Sequence, residues 1–362
     1  MKNIYYYLAF SHFLGIGPMK FRKLLDTFGD VKQAYEASFS EIKPLIGEKT
    51  AADFIDFKNK FDAQKKYQEI VEKEIMIITQ EDSFYPSSII NIPDPPICLY
   101  VKGDIKKYNF DEGFYFAVVG TRKPSPYGQQ ITKMFSLKLA ETGATIVSGL
   151  AQGIDTIAHQ SALNCHGKTV AFLGCGVDIV YPPGNRKLYE QIIKENGLVI
   201  SEFPPGRTVL PGLFIARNRL ISGLSKGVLV VEGTNKSGAL ITAKYAALQG
   251  KEVFAPPVPL TSELSEAPNI LLKQGAVLAT SVEDILNEFN LKAAPSKKEV
   301  NLTLTADEKK IYDCLSFQPL NADDLALECK TQIHNLLPLL SIMEVKKIID
   351  RNEEGKFQLR DF

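Results

Sequence analysis

The sequence predicts an α/β protein. A doubly wound, mostly parallel sheet occupies the middle of the chain, with a small helical region before it and a winged-helix-like region after it. Two observations lead there. Between residues 76 and 290, short apolar runs alternate with helical stretches, the βαβ pattern that supplies parallel strands. Several of those runs are unbroken Val, Ile and Phe, as strands buried on both faces require.

Residues 1–75 read as short helices, with apolar side chains at helical spacing through Phe21, Leu24, Leu25 and Phe28. Two glycine turns each lead into a helix: Leu14-Gly15-Ile16-Gly17-Pro18 and Leu45-Ile46-Gly47-Glu48-Lys49. Such a hairpin either offers backbone N–H groups to a phosphate or simply connects two helices. The aromatic start of the chain reaches His12 without the apolar core or small-residue cleavage site of a secretory signal. No apolar run approaches the roughly 20 residues that span a bilayer. The expectation is a cytoplasmic protein with no membrane partner.

In the central region, 76–290, strands are predicted at 114–119, 144–148, 169–173, 198–200, 227–231 and 252–255. Helices are predicted between them, at 129–142, 155–164, 187–196 and 239–249. This is a Rossmann-like pattern. The proline-rich stretch from Phe84 to Pro96 is expected to run extended into the domain. Residues 291–301 are polar and read as a linker. In the last region, 302–362, Thr305 and Glu308 have the spacing of a capping box. Three short helical patterns follow, then two strand-like runs around an Asn/Glu/Gly turn, the outline of a winged helix.

Charge supports a local rather than a global anion site. Lys plus Arg and Asp plus Glu both number 42, but residues 113–260 hold 15 of the cations and only 8 of the acids. The five cysteines, Cys98, Cys165, Cys175, Cys314 and Cys329, form no Cys-x-x-Cys pair, so neither a disulfide framework nor a structural metal is expected.

Ligands of an open parallel sheet sit at the carboxyl ends of its strands. Four turns there are rich in Gly, Ser and Thr: Gly120-Thr121-Arg122; the run from Ser148 through Gly149, Gln152 and Gly153 to Asp155; Gly174-Cys175-Gly176-Val177-Asp178; and Glu232-Gly233-Thr234-Asn235-Lys236-Ser237-Gly238. Backbone N–H groups and helix dipoles at such turns suit anions, and four in one sheet suggest a polyanion surface. Nucleotide cofactors fit poorly. Gly174 and Gly176 begin a G-x-G-x-x-G fingerprint, but position 179 is Ile; Arg122 stands where a second glycine belongs; and there is no Walker A loop. No cofactor is therefore expected. Asp155 and His159, four apart on one helix face, read as a buried structural pair before an acid–base dyad. His166 reads as a turn residue, while His12 and His334 lie in the peripheral regions. Asp178 and Glu232 are either catalytic carboxylates or, as is common at βα turns, caps of helices or partners of a nearby Arg.

The most distinctive segment is Phe214 followed by Arg217-Asn218-Arg219. Arginine supplies bidentate phosphate contacts, and an aromatic supplies a platform for an unpaired base. The alternative is a core Phe with arginines paired to internal acids. If the stretch is helical, Arg217 and Arg219 point about 200° apart, so only one faces a groove.

These residues resemble the DprA family, the DNA-processing proteins of natural transformation. The matching stretches are Val119 to Arg122; Ser148 to Asp155 with Ala158 and His159; Gly174 to Asp178 with Tyr181 and Pro182; Ser201 to Pro204; Arg217 to Arg219 through Leu224 and Ser225; and Ser237 to Leu240 with Thr242 and Ala243. Together they cover roughly residues 80–280 and are specific as a set. The flanks also look familial, as a helix-hairpin-helix or SAM-like region and a winged helix. The resemblance implies a homodimeric, non-enzymatic binder of single-stranded DNA that loads RecA recombinase. It implies that Gly120, Thr121 and Arg122 hold phosphate and that Phe214 stacks on a base. With the turns above, the candidate DNA-binding set is Gly120, Thr121, Arg122, Gly149, Gln152, Gly153, Phe214, Arg217, Asn218, Arg219, Lys236, Ser237 and Gly238. Departures from the familial pattern stand at Pro211, Ala216, Pro257 and Ala267-Pro268-Asn269. A rival resemblance is to the nucleoside-monophosphate phosphoribohydrolases, enzymes on a similar fold with a Pro-Gly-Gly-x-Gly-Thr-x-x-Glu motif. Val231-Glu232-Gly233-Thr234 keeps only its Gly-Thr. A third reading, a duplex-binding regulator acting through the winged helix, meets few arginines there: Arg351 and Arg360.

Overall fold

The computed structural model describes residues 3–291, 304–315, 319–329, 331–346, 348–352 and 355–359. Apart from Leu291, the connector expected at 291–301 lies outside them. The chain divides into two compact units, residues 1–295 and 296–362.

The first unit opens with six helices: α1 (Asn3–His12), α2 (Pro18–Phe28), α3 (Val31–Glu36), α4 (Phe39–Ile46), α5 (Glu48–Lys58) and α6 (Ala63–Val71). They close over their own aromatic core, where Phe10 stacks on Phe54 with centroids 5.0 Å apart. Each predicted glycine turn falls at a helix start: Gly17 precedes Pro18 of α2, and Gly47, at φ +89°, joins α4 to α5. Lys20 ties the two turns together, its Nζ donating to Gly15 O at 3.2 Å and to Thr50 Oγ1 at 3.0 Å.

Then come β1 (Met76–Thr79), α7 (Ser87–Ile90), β2 (Cys98–Lys102), β3 (Tyr115–Val119), α8 (Pro126–Glu141), β4 (Thr145–Ser148), α9 (Ile154–Asn164), β5 (Thr169–Phe172), α10 (Arg186–Lys194), β6 (Gly197–Ser201), α11 (Pro211–Leu224), β7 (Gly227–Val230), α12 (Gly238–Leu248), β8 (Glu252–Ala255), α13 (Glu266–Lys273), β9 (Val277–Leu278) and α14 (Val282–Glu288). The six predicted strands and four predicted helices are all present, each within a few residues. Two expectations need correction. The 84–96 stretch is not simply extended, since it turns through α7. It is also framed by a pair of strands, β1 and β2, that the apolar pattern did not single out.

The nine strands form one sheet in the order β1-β2-β6-β5-β4-β3-β7-β8-β9. Only β1–β2 and β2–β6 pair antiparallel. Side chains alternate between two buried faces. Tyr115, Ala117 and Val119 of β3 join the layer with α11, α12 and α13, whereas Phe116 and Val118 join the layer with α8, α9 and α14. Successive strands step outward from β3 to β6, then α11 carries the chain back so that β7 pairs on the other side of β3. The order therefore reverses between β3 and β7, the place where doubly wound sheets open a crevice.

The second unit holds α15 (Ala306–Leu315), α16 (Ala322–Glu328), α17 (Ile333–Val345) and an antiparallel pair, β10 (Ile349–Arg351) and β11 (Phe357–Leu359). Three helices and a two-stranded wing enclose a core of Ile311, Leu325, Leu336, Leu340, Met343 and Phe357. The capping box is formed: Thr305 N–H donates to Glu308 Oε2 at 2.8 Å, and Glu308 N–H donates to Thr305 Oγ1 at 3.3 Å.

Candidate nucleic-acid interface

A cleft of about 510 Å³ opens at the β3–β7 reversal. Its walls include the Gly120-Thr121-Arg122 turn after β3, Ala151 and Asp155 at the start of α9, Tyr181 after β5, the α11 face from Pro211 to Ile221, and the turn into α12. The first residues of two helices, Pro211 and Gly238, stand at its edge, where helix dipoles favour negative charge.

The β3 turn is held from both sides. Thr121 N–H donates to Glu232 O at 2.8 Å, and Ile154 N–H donates to Thr121 O at 3.2 Å. Gly153 must be glycine, because its φ is +87° and a Cβ would lie 2.5 Å from Thr121 O. This clamp leaves Arg122 exposed, with its Cζ 5.7 Å from the Phe214 ring centroid.

Phe214 sits in the first turn of α11, half-buried and outside every hydrophobic cluster among the described residues. It rests on Gly174, where a Cβ would come within 2.8 Å of its ring. Phe214 is thus packed at the cleft wall and not in a core.

The two arginines differ as helical geometry requires. Arg219 turns away from the cleft. Its guanidinium grips Glu202 with two bonds of 2.7 Å and Asp94 with one of 2.8 Å, at 3% exposure. The expected DNA contact from Arg219 is therefore corrected: this side chain ties α11 to the end of β6 and to the proline-rich segment. Arg217 is also buried, but it lines the cleft floor. Its Nη1 donates to Gly149 O at 2.6 Å and also to Phe172 O, and its Nε donates to Asn218 Oδ1 at 3.3 Å. Burial lowers its pKa to about 10, against the opposing pull of Asp155.

Asp155 and His159 are buried, as expected, but they serve the loop rather than each other. Asp155 Oδ2 accepts from Gly149 N–H at 3.1 Å and Ala151 N–H at 3.3 Å. His159 Nε2 accepts from Leu150 N–H at 3.3 Å, so its Nδ1 carries the proton given to Thr169 Oγ1 at 2.7 Å. Burial pushes the His159 pKa down to about 3 and raises that of Asp155.

Of the remaining candidates, Asn218, Ser237 and Gly238 line the cleft, with Asn218 Nδ2 donating to Gly238 O at 3.3 Å. Gln152 and Lys236 are exposed on turns beside it, and Gly149 lies beneath its floor. Glu232 bonds at a helix start, whereas Asp178 holds a turn and pairs with Lys73 at 3.3 Å. Glu232 accepts from Ser125 N–H at 2.9 Å and Ser125 Oγ at 2.5 Å at the start of α8, and Asp178 accepts from Gly206 N–H at 2.8 Å. Sequence reasoning left out Tyr181, whose ring lines the cleft 5.4 Å from that of Phe214. Its signal was an aromatic just past a glycine-rich strand end.

A family model described as DNA recombination-mediator protein A matches residues 76–290. The chain belongs to the DprA/Smf family. A second model, the DprA winged helix domain, matches residues 292–355. Protein Smf of Synechocystis is 39% identical over 294 residues, covering 80% of this chain and 72% of that protein. The DNA processing protein DprA of Streptococcus pneumoniae is 36% identical over 278 residues, covering 76% and 94%. The X-ray structure of DprA from S. pneumoniae superposes with a TM-score of 0.69 at 35% identity, covering 80% of this chain and 98% of that one. DprA from Helicobacter pylori, known for a unique single-stranded DNA binding mode, gives a TM-score of 0.53 at 35% identity, covering 59% and 96%. Membership in the DprA family makes the chain a DNA processing protein and recombination mediator with a winged-helix domain. Among the described residues, no helix is long and apolar enough to cross a membrane, and no His, Cys, Asp and Glu cluster suits a metal ion.

Proposed function

We propose that the chain binds single-stranded DNA in the β3–β7 cleft and, as a cytoplasmic homodimer, loads RecA recombinase onto it. The observation that carries the binding is the juxtaposition of Arg122 and Phe214 at one cleft, an exposed cation for phosphate beside an aromatic for an unpaired base. The single-stranded DNA binding mode of the H. pylori relative supports it. In this reading Gly120, Thr121 and Arg122 hold a phosphate and Phe214 stacks on a base. Asn218, Ser237 and Gly238 contact the backbone beside them, with Gln152 and Lys236 guiding the strand across the neighbouring turns. Gly149, Gly153 and Arg217 shape the floor.

The winged-helix domain takes a partner-contacting or structural role. Its α17 carries no Lys or Arg and leaves Leu337 and Val345 exposed, the opposite of a helix that reads duplex DNA. RecA loading and the homodimer rest on the family resemblance.

Fluorescence anisotropy with labelled single- and double-stranded oligonucleotides over a salt series tests the binding. Tighter single-strand binding that weakens with salt is expected; equal affinity for both forms overturns it. A nucleoside-monophosphate hydrolysis assay on the same sample separates binder from enzyme. RecA filament growth on single strands, with and without the chain, tests loading, and light scattering tests the dimer.

A further inference from the structure

Tyr181 has no assigned role, yet it is placed like a functional side chain. It follows the glycine-rich turn after β5, lines the cleft, and is 37% exposed. It belongs to no hydrophobic cluster among the described residues, so no core accounts for it. Among the described residues its phenol has no hydrogen-bond partner. Among the described residues its one ring neighbour is Phe214, with centroids 5.4 Å apart and planes inclined by 42°.

That inclination matters. Stacked bases in a duplex are parallel and about 3.4 Å apart along each strand. Two rings 5.4 Å apart and inclined by 42° do not match such a pair. They match two neighbouring unpaired nucleotides that have been unstacked from each other, each lying on its own ring. Phe214 is packed against Gly174, where a Cβ would come within 2.8 Å of its ring. Arg122 approaches the same ring, with its Cζ 5.7 Å from the centroid, and supplies a cation beside the two rings.

We propose that Tyr181 is a second stacking platform, receiving the base adjacent to the one on Phe214, so that the cleft accepts a bent, unstacked dinucleotide step and rejects duplex. The proposal rests on the reading of the cleft as the single-strand site. It accounts for strand selectivity through geometry, since a paired step keeps its bases parallel and their faces covered.

The test uses the full chain and oligothymidylates carrying one 2-aminopurine, moved position by position, whose emission reports stacking. The expected result has two adjacent positions altered on binding the wild type. Tyr181→Ala restores free emission at one of them and weakens affinity about 5- to 150-fold, as loss of one stacked base predicts. Phe214→Ala restores the other, and Tyr181→Phe behaves as wild type. Tyr181→Leu, which keeps bulk without a π face, should lose affinity like Ala and guards against a folding defect, with thermal unfolding as control. The proposal is overturned if Tyr181→Ala leaves emission and affinity unchanged. It is equally overturned if Tyr181→Ala and Phe214→Ala release the same position, because Tyr181 then only supports Phe214. If neither variant alters binding while DNA still binds tightly, the cleft itself is not the site, and this proposal falls with it.

Discussion

The guanidinium of Arg217 is bonded to the backbone oxygen of Gly149 at 2.6 Å, so close that a Cβ on Gly149 would lie 2.5 Å from Nη1. The floor of the cleft is thus a contact between a glycine backbone and a buried cation, with no room between them. Gly149→Ala must push the guanidinium aside. The expected cost is about 1–3 kcal/mol of stability, as for other overpacked sites. Single-strand affinity should fall as the 149–151 loop shifts. Thermal unfolding and anisotropy on the same variant check both.

Arg219 and Arg122 should separate folding from binding. Arg219→Ala leaves the buried Glu202 carboxylate without its partner and is expected to cost about 3–5 kcal/mol of stability. Arg122→Ala touches an exposed side chain and should change stability by no more than about 0.5 kcal/mol. It should lower the slope of log affinity against log salt by about 0.7, one phosphate contact on a single strand. Denaturant melts and salt titrations of the two variants are the measurement, and an Arg122→Ala slope equal to wild type would remove Arg122 from the phosphate path.

Phe214→Ala should weaken single-strand binding by about 1–3 kcal/mol. Its folding cost should stay below the roughly 3–5 kcal/mol of a core Phe, because the ring is half-buried and belongs to no core cluster. Phe214→Trp keeps a π face and should retain binding. Paired melting and affinity data decide, and a variant that melts like a core mutant would return Phe214 to the fold.

His159 gives the pH prediction. Its folded pKa is lowered to about 3 from an ordinary 6.5, so the native state keeps it neutral where the unfolded chain takes up a proton. Its contribution is full above pH 6.5 and is lost as pH falls toward the folded value, amounting to about 2 kcal/mol by pH 5. His12, lowered to about 4 by burial, acts in the same direction. Stability measured from pH 7.5 to 5 should fall, and His159→Asn should reduce the proton uptake on unfolding by about one.

The parts of the fold that could be read in advance are those where composition and environment agree. Runs such as Tyr115–Val119 and Gly227–Val230 are apolar throughout because both of their faces are covered. β1 and β2 escaped notice because Met76–Thr79 and Cys98–Lys102 flank a proline-rich segment whose turn signals dominate it, and their pairing is antiparallel and non-local. At the site, the turns were legible because glycine marks a tight strand-to-helix step. The fates of Arg217 and Arg219 were legible only as a difference: helical spacing says that they diverge, but not that Glu202 and Asp94 wait on one side. Tyr181 was invisible as a site residue because its neighbour Phe214 lies beyond β6, on a helix that returns across the sheet.

The insertion of β7 beside β3 also sets when the site can exist during synthesis. β4 reaches the open edge of β3 soon after it is made, but the other edge stays bare until β7 has left the ribosome, and with it Glu232, whose carbonyl anchors Thr121. Until then the central strand is an unpaired edge of the kind that draws nascent chains into mispairing. A chain cut short of β7 has every residue of the Gly120-Thr121-Arg122 turn but only one of its two anchors, Ile154 N–H. Translation past Glu232 therefore covers the sticky edge and sets the second anchor of the turn, and the cleft is finished only when the start of α12, through Thr242, follows.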